Sequence, residues 1–276
     1  MVNTFLENMF SLKDKVVVVT GGGGCLAGAM AGGAARAGAR VAVLDIDSDK
    51  ALKAASSILK EGNCAIALKA DVQDRGSLEE AREAIISYYG RIDCLINGAG
   101  GGRSNAITSE TLTFFDLTAE AIQSVFDLNI LGTIMACQVF GREIIKQERG
   151  SILNIASVAG LRPLTRVISY SAAKAAVVNF TAWLAVHMCQ NYSKGIRVNC
   201  IAPGFCLAEQ NRFLLIDAKN EKTERAKKIL ASVPQNRFGE PEEFVSAVLW
   251  LLSDSSSFTT GSVIAIDGGF DAYSGV

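Results

Sequence analysis

Short apolar runs alternate along the chain with stretches whose apolar positions recur every three or four residues. Val16–Val19, Arg40–Leu44, Ala65–Leu68, Cys94–Ile96, Ser151–Ile155, Arg197–Ile201 and Val263–Ile266 are brief, rich in Val and Ile, and bounded by Gly, Asn, Asp or Pro. Continuous apolar runs of this length suit strands buried on both faces. Between them, Gly28–Ala37, Asp49–Lys60, Ser77–Tyr89, Ala119–Gln147, Ser169–Tyr192 and Pro241–Leu252 carry helical spacing. Such alternation predicts an α/β fold, a doubly wound parallel sheet of about seven strands with helices on both faces. No internal repeat or low-complexity linker divides the chain, so residues 1–276 are expected to form a single domain. Two connections break the rhythm. Gly98–Thr118 contains Gly and Thr; Pro203–Val233 holds apolar Phe205, Phe213, Leu214 and Leu215 before turning strongly charged. Long connections at the carboxyl edge of a parallel sheet build active-site walls and lids, and 203–233 is expected to be a substrate lid.

Composition narrows the class of function. Hydrophobic residues make up 49% of the 276, enough for a substantial core and too many for disorder. A formal net charge of -1, without a long basic run, gives no electrostatic reason to expect nucleic acid or an anionic membrane surface. The expected partner is a small molecule. Met1–Leu12 carries Glu7 and lacks a basic start followed by an apolar stretch, so no signal peptide is expected, nor does any uninterrupted apolar run suit a bilayer. The seven cysteines form no C-x-x-C pair, and most lie in apolar stretches, as small buried hydrophobes of a reducing, cytoplasmic compartment do. With His187 as the one histidine, no metal site is expected.

The first strand runs into Thr20-Gly21-Gly22-Gly23-Gly24-Cys25-Leu26-Ala27-Gly28 and then a helix. Glycines there allow a tight turn that aims backbone N–H groups and the positive helix end at a pyrophosphate. The second strand ends at Asp45, about twenty residues on. A carboxylate at that place accepts hydrogen bonds from the adenosine ribose hydroxyls and repels a 2′-phosphate. Ile46 follows, rather than an arginine able to neutralise such a phosphate, so NAD(H) is favoured over NADP(H). Asp47 is the rival for the ribose.

Tyr170 and Lys174, four apart in Tyr170-Ser171-Ala172-Ala173-Lys174, fall on one helical face. Tyrosine titrates near ~10 and is a poor base at neutral pH. An ammonium one turn away stabilises the phenolate, which can then exchange a proton with a substrate oxygen. Ser157, just past another strand, can bond the same oxygen if both elements meet at the sheet edge. No His or Asp is placed to activate it as a nucleophile, so a hydrolase triad is not indicated.

Together these residues resemble the short-chain dehydrogenase/reductase family, over nearly the whole chain. The glycine motif lies at Thr20–Ala27 and the adenine-side aspartate at Asp71, followed by Val72. Asn97-Gly98-Ala99-Gly100 is similar to the family's strand-end motif, Asn129 to its structural asparagine, Pro203-Gly204 to the turn after the sixth strand, and Asp267-Gly268-Gly269 to its C-terminal signature. The resemblance implies a Rossmann-type fold, an NAD-dependent enzyme acting on CH–OH groups and a homotetramer built through the Ala119–Gln147 and Ser169–Tyr192 helices. It implies Tyr170 as acid/base, Ser157 holding the substrate oxygen, Lys174 lowering the tyrosine pKa and holding the nicotinamide ribose, and Asn129 anchoring a proton-relaying water. The cofactor set it implies is Gly21, Gly24, Cys25, Leu26, Asp45, Asp71, Val72, Asn97, Ala99, Gly100, Tyr170, Lys174, Pro203 and Gly204. Cys25 and Ala27 stand where glycine is usual, Gly98 where asparagine is usual, and Ala208 where a threonine commonly meets the carboxamide.

For the substrate, Arg103, Arg162, Arg166 and Arg212 lie in segments expected to border the cleft, and Arg162, Arg166 and Arg212 are the candidates to clamp a carboxylate. Gln210 and Asn211 could meet sugar hydroxyls. Phe114-Phe115-Asp116-Leu117, Arg162-Pro163-Leu164-Thr165-Arg166, Pro203-Gly204-Phe205, Glu209-Gln210-Asn211-Arg212 and Ala272-Tyr273-Ser274-Gly275-Val276 resemble a uronate-metabolism branch, D-mannonate oxidoreductase or fructuronate reductase, which implies a sugar-acid substrate. A polyol or ketogluconate dehydrogenase of the gluconate 5-dehydrogenase type is the enzymatic alternative, and an NAD-binding protein without catalysis the other.

Overall fold

The computed structural model describes residues 4–207, 212, 215–217 and 220–275. Its seven strands are β1 (Val16–Thr20), β2 (Arg40–Asp45), β3 (Cys64–Lys69), β4 (Cys94–Asn97), β5 (Arg149–Ile155), β6 (Gly195–Pro203) and β7 (Val263–Ile266). They form one parallel sheet in the order β3-β2-β1-β4-β5-β6-β7. Alternate residues of a strand point to opposite faces. In β1, Val17 and Val19 pack with Met30 and Ala34 on one face, while Val16 and Val18 pack with Phe140 and Ile144 on the other. Both faces are covered, hence the unbroken apolar run.

The helices are α1 (Thr4–Met9), α2 (Cys25–Arg36), α3 (Ser48–Lys60), α4 (Arg75–Tyr89), α5 (Ala119–Phe126), α6 (Gly132–Ile145), α7 (Ile168–Asn191), α8 (Glu224–Ala231) and α9 (Val245–Leu252). Strand order reverses between β1 and β4, so the chain leaves them in opposite directions and opens a crevice at their carboxyl ends. Thr20 pairs with both Leu44 and Asn97, and Asn97 with Asn154, which brings the four strand ends to one level beneath that crevice.

Four elements differ from the pattern-based expectation. The Ala119–Gln147 stretch is not one helix: a π-helical turn at Asp127–Leu131 separates α5 from α6. Asn129 sits in it, its amide donating to the Val125 carbonyl at 2.8 Å, while Thr133 Oγ1 donates to the Asn129 carbonyl at 2.8 Å. Side chains thus enter the backbone ladder where the turn widens. α2 starts at Cys25, three residues before Gly28, with Gly24 extended as its N-cap. α8 was hidden by its charge; its buried residues are only Ala226 and Leu230, and Thr223 Oγ1 caps it by accepting from Ala226 N. Pro241–Phe244 is a 3-10 turn leading into α9.

Cys94, Cys137 and Cys200 are buried, but Cys25 and Cys64 are exposed, one at the start of α2 and one at the start of edge strand β3. Ala119–Ile145 and Ile168–Asn191 are long and apolar enough by composition to cross a membrane, although no such span was expected. Phe140, Ile144, Leu184 and Met188 from these stretches pack against the sheet, which accounts for part of that apolarity.

Candidate active site

At the end of β1 the chain turns through Gly21 at φ +65, a left-handed conformation costly for residues with a Cβ. α2 begins immediately afterwards. Its N-cap makes no side-chain hydrogen bond and its first turn contains no acid, so nothing on the side chains competes for the free N–H groups there. That donor set suits the pyrophosphate of a dinucleotide. Asp45, at the end of β2, is fixed beside the turn: its carboxylate accepts from Gly23 N and from Asp47 N, each at 3.0 Å. Asp47 is otherwise engaged, capping α3 by accepting from Asp49 N and Lys50 N. Asp71 lies past β3 at the same edge and accepts from Gln73 N at 2.9 Å, with Val72 buried behind it.

Two departures from the family pattern meet in space. A Cβ on Gly98 would lie 2.7 Å from Ala27 Cβ and 2.8 Å from the Thr20 carbonyl oxygen. The missing side chain at 98 makes room for the extra methyl at 27. We expect Gly98→Asn to destabilise the fold by roughly 1–3 kcal/mol through overpacking, and Ala27→Gly in the same chain to recover part of the loss; thermal melts of the single and double variants measure it. Additive losses would show that the two positions are independent.

Asn97 does not turn its side chain to the crevice. Its amide donates to Asn154 Oδ1 at 2.8 Å and to Cys137 Sγ at 3.1 Å, and the residue is buried. Asn154 in turn donates to Thr181 Oγ1 at 2.9 Å, so a buried polar chain ties β4 and β5 to α7. The side chain of Asn97 is therefore structural, and the backbone of Ala99 and Gly100 carries the strand end to the cleft. Ala99 N donates to Thr20 Oγ1 at 3.3 Å. Pro203 closes β6 opposite Ile266, and Gly204 N donates to the Ile266 carbonyl at 2.9 Å.

Ser157, Tyr170, Lys174 and Asn129 converge on the same edge. Lys174 is buried and donates to the Ile155 carbonyl at 2.7 Å. Its Nζ lies 5.7 Å from the centre of the Tyr170 ring. Asn129, wholly buried, accepts from Gly101 N at 3.0 Å and donates to the Gly101 carbonyl at 2.8 Å. A Cβ on Gly100 would stand 2.8 Å from Asn129 Oδ1 and 3.1 Å from Lys174 Nζ, so both polar tips reach one small space that glycine keeps open. Ser157 Oγ caps a 3-10 turn by accepting from Ala159 N at 3.2 Å. Burial pushes the Tyr170 phenol up, with the Ser157 hydroxyl pulling the other way. Burial also pushes the Lys174 ammonium down, to about 8.

Ser157 and Tyr170 line a cavity of about 540 Å³ together with Gly100–Arg103, Gly204, Phe205 and, from the segment after β6, Leu215, Arg225 and Ile229, while Lys174 and Asn129 stand beside Gly100. The three arginines expected to clamp a substrate are not among the described residues lining the cavity. Arg162 pairs with Asp271 at 2.9 Å, Arg166 donates to the Thr108 carbonyl at 2.7 Å, and Arg212 donates to Asn220 at 2.6 Å. Each is drawn aside by a better-placed acceptor. Arg103 and Arg225 stand on the wall instead. Sequence reasoning does not single out Arg225; its signal is a basic residue in the first turn of α8. Ala208, Glu209, Gln210, Asn211, Phe213, Leu214 and Val276 lie outside the described residues.

A family model described as enoyl-(acyl carrier protein) reductase matches residues 24–271. The uncharacterised oxidoreductase UxuB of Bacillus subtilis is 44% identical, over 96% of this chain and 98% of its own. A crystal structure from Haemophilus influenzae, provisionally named a D-mannonate oxidoreductase and holding NAD, matches with a TM-score of 0.92 at 41% identity, covering 98% of this chain and 100% of that one. Another, from Beutenbergia cavernae, provisionally named an NAD(P)-dependent gluconate 5-dehydrogenase and holding NADP at low occupancy, matches at TM-score 0.83 and 30% identity over 96% and 99%.

Proposed function

The chain belongs to the short-chain dehydrogenase/reductase family, and we propose that it moves a hydride between NAD(H) and the secondary alcohol or ketone of a small sugar acid, the D-mannonate/D-fructuronate pair. The observation that carries this reading is that Ser157 and Tyr170 line one cavity with Gly100, beside which the polar tips of Lys174 and Asn129 meet. Asp45 and the N–H groups at Gly21–Leu26 would hold the adenosine and pyrophosphate, and Asp71, Val72, Ala99, Gly100, Pro203 and Gly204 would border the rest. When bound, the nicotinamide supplies or accepts the hydride.

In reduction, the Tyr170 hydroxyl gives its proton to the carbonyl oxygen as that oxygen gains charge; in oxidation the phenolate takes it back. Ser157 Oγ donates to the same oxygen and fixes its direction. Lys174, held against Ile155 and close to Asn129, keeps positive charge near the phenol and links it to the buried polar groups that can return a proton. The family likeness supports a single domain over 1–276, with the 203–233 segment as lid, a homotetramer and a cytoplasmic setting.

The sugar-acid part draws on the two arginines of the cavity wall and on the name given to the Haemophilus relative. It is tested by following NADH consumption with a ketouronate, a ketogluconate and neutral ketoses. The ketouronate is expected to show the highest kcat/KM. Turnover confined to neutral ketoses would reject the acid, and a preference for the ketogluconate would favour a gluconate 5-dehydrogenase activity.

A further inference from the structure

The cavity around Tyr170 has two charged lining residues among those described, and both are arginines. Arg103 makes no side-chain hydrogen bond or ion pair to any described residue. Arg225 donates at 3.3 Å to the hydroxyl and to the carbonyl of Thr165, using two of its five N–H groups and no acid.

Arg225 occupies a place that disfavours a cation. It lies in the first turn of α8, at the positive end of the helix dipole, and the acid of that turn, Glu224, is taken by Lys227 at 2.7 Å. Burial lowers the guanidinium pKa, and the positive charge of Arg166 beside it lowers it further. The Arg166 guanidinium is itself tied to the Thr108 carbonyl at 2.7 Å and to no described acid. No described acid pairs with Arg103, Arg166 or Arg225, although Arg162 and Arg237 nearby in sequence both have one. An incoming anion relieves helix-end, like-charge and desolvation costs together.

We propose that Arg225, with Arg103 as the second cation of the wall, binds the carboxylate of the substrate and is the residue that selects sugar acids over neutral polyols. The inference rests on the proposed oxidoreductase activity and deepens it. A carboxylate fits because a guanidinium offers it paired parallel N–H groups.

The test compares wild type, Arg225→Ala, Arg225→Lys and Arg103→Ala on a ketouronate and on the neutral ketose of the same carbon skeleton. NADH binding is followed by fluorescence and folding by thermal melts. In Arg225→Ala the acid-over-neutral ratio of kcat/KM is expected to fall by about 30-fold, the size of a lost charge-assisted hydrogen bond. The loss should lie in KM more than in kcat. Arg225→Lys should recover part of it, and Arg103→Ala should lower the ratio by a smaller factor. Competitive inhibition by an aldonate should weaken in parallel. Equal losses on both substrates would mean that Arg225 only ties the lid to Thr165 and would overturn the proposal, as would an unchanged ratio or an effect confined to NADH binding. A wild type that prefers the neutral ketose would overturn the sugar-acid reading and the carboxylate anchor together; a wild type that prefers the acid with Arg225→Ala unchanged would remove the anchor alone.

Discussion

Tyr170→Phe is expected to lower kcat by about 10²–10⁴-fold, the usual contribution of a positioned acid/base group, with NADH still binding. The substitution removes one oxygen and keeps the ring, which packs with Ala106, Ala121, Val125 and Ala173 between α5 and α7. Folding should therefore survive, and thermal melts check it. Lys174 and Asn129 remain after the change but neither can replace the lost hydroxyl: Lys174 is committed to the Ile155 carbonyl and Asn129 to Gly101 and Val125. The pH profile separates the two titrating groups. Lys174 has its pKa pushed down to about 8, so its ammonium is present below that pH and lost above it. Burial moves the Tyr170 phenol the other way, upward, so it stays protonated through the same range. Ketone reduction should then fall as pH rises through about 8, with Lys174 and not Tyr170 responsible. Lys174→Arg, which keeps its charge in that range, should shift this limb upward whatever its absolute rate. Full turnover in Tyr170→Phe, or an alkaline limb unmoved by Lys174→Arg, would defeat this assignment.

The strands were legible because burial on both faces leaves no room for polar residues, and Val16–Val19 shows that constraint directly. Tyr170 and Lys174 were legible because helical spacing alone places them on one face. Asn129 was harder: an unbroken apolar period runs through Ala119–Gln147, and only the side chain's bonds to Val125 and Gly101 mark the π turn. The position of the candidate substrate arginines was hard to read for a related reason: none of Arg162, Arg166 and Arg212 is among the described residues lining the cavity. Proximity in sequence put Arg162 and Arg166 near Tyr170, but what a guanidinium faces depends on which acceptor reaches it first, and Asp271 and Thr108 come from distant segments. Arg225 arrives from α8, whose charged surface conceals its helical period. Ala27 and Gly98 look like unrelated departures until their Cβ positions are brought together. Of the two acids after β2, Asp47 caps α3 and Asp45 faces the glycine turn.

That separation makes cofactor choice testable at a single atom. Asp45→Asn keeps one oxygen able to accept from Gly23 N or from Asp47 N, which in the native carboxylate bond to separate oxygens at 3.0 Å each, so one of these two turn contacts is given up. It removes the negative charge. A 2′-phosphate brings about two negative charges to this place, and against a carboxylate ~4 Å away in a half-solvated setting the repulsion amounts to roughly 1.5–3 kcal/mol after screening. The ratio of kcat/KM for NADPH over NADH should thus rise about 10- to 100-fold in Asp45→Asn. Loss of an ion–dipole contact to the ribose should also raise KM for NADH, so the switch comes from both sides of the ratio. Asp47→Ser retains a good helix cap and should leave cofactor preference where it is. If Asp47→Ser shifted the ratio and Asp45→Asn did not, the ribose would be read by the second acid and the geometry at Gly23 would serve only the turn. If neither moved it, discrimination would have to come from the size of the crevice or from Lys50, whose side chain starts beside Gly23 and whose Nζ stands 3.9 Å from Asp47 Oδ2.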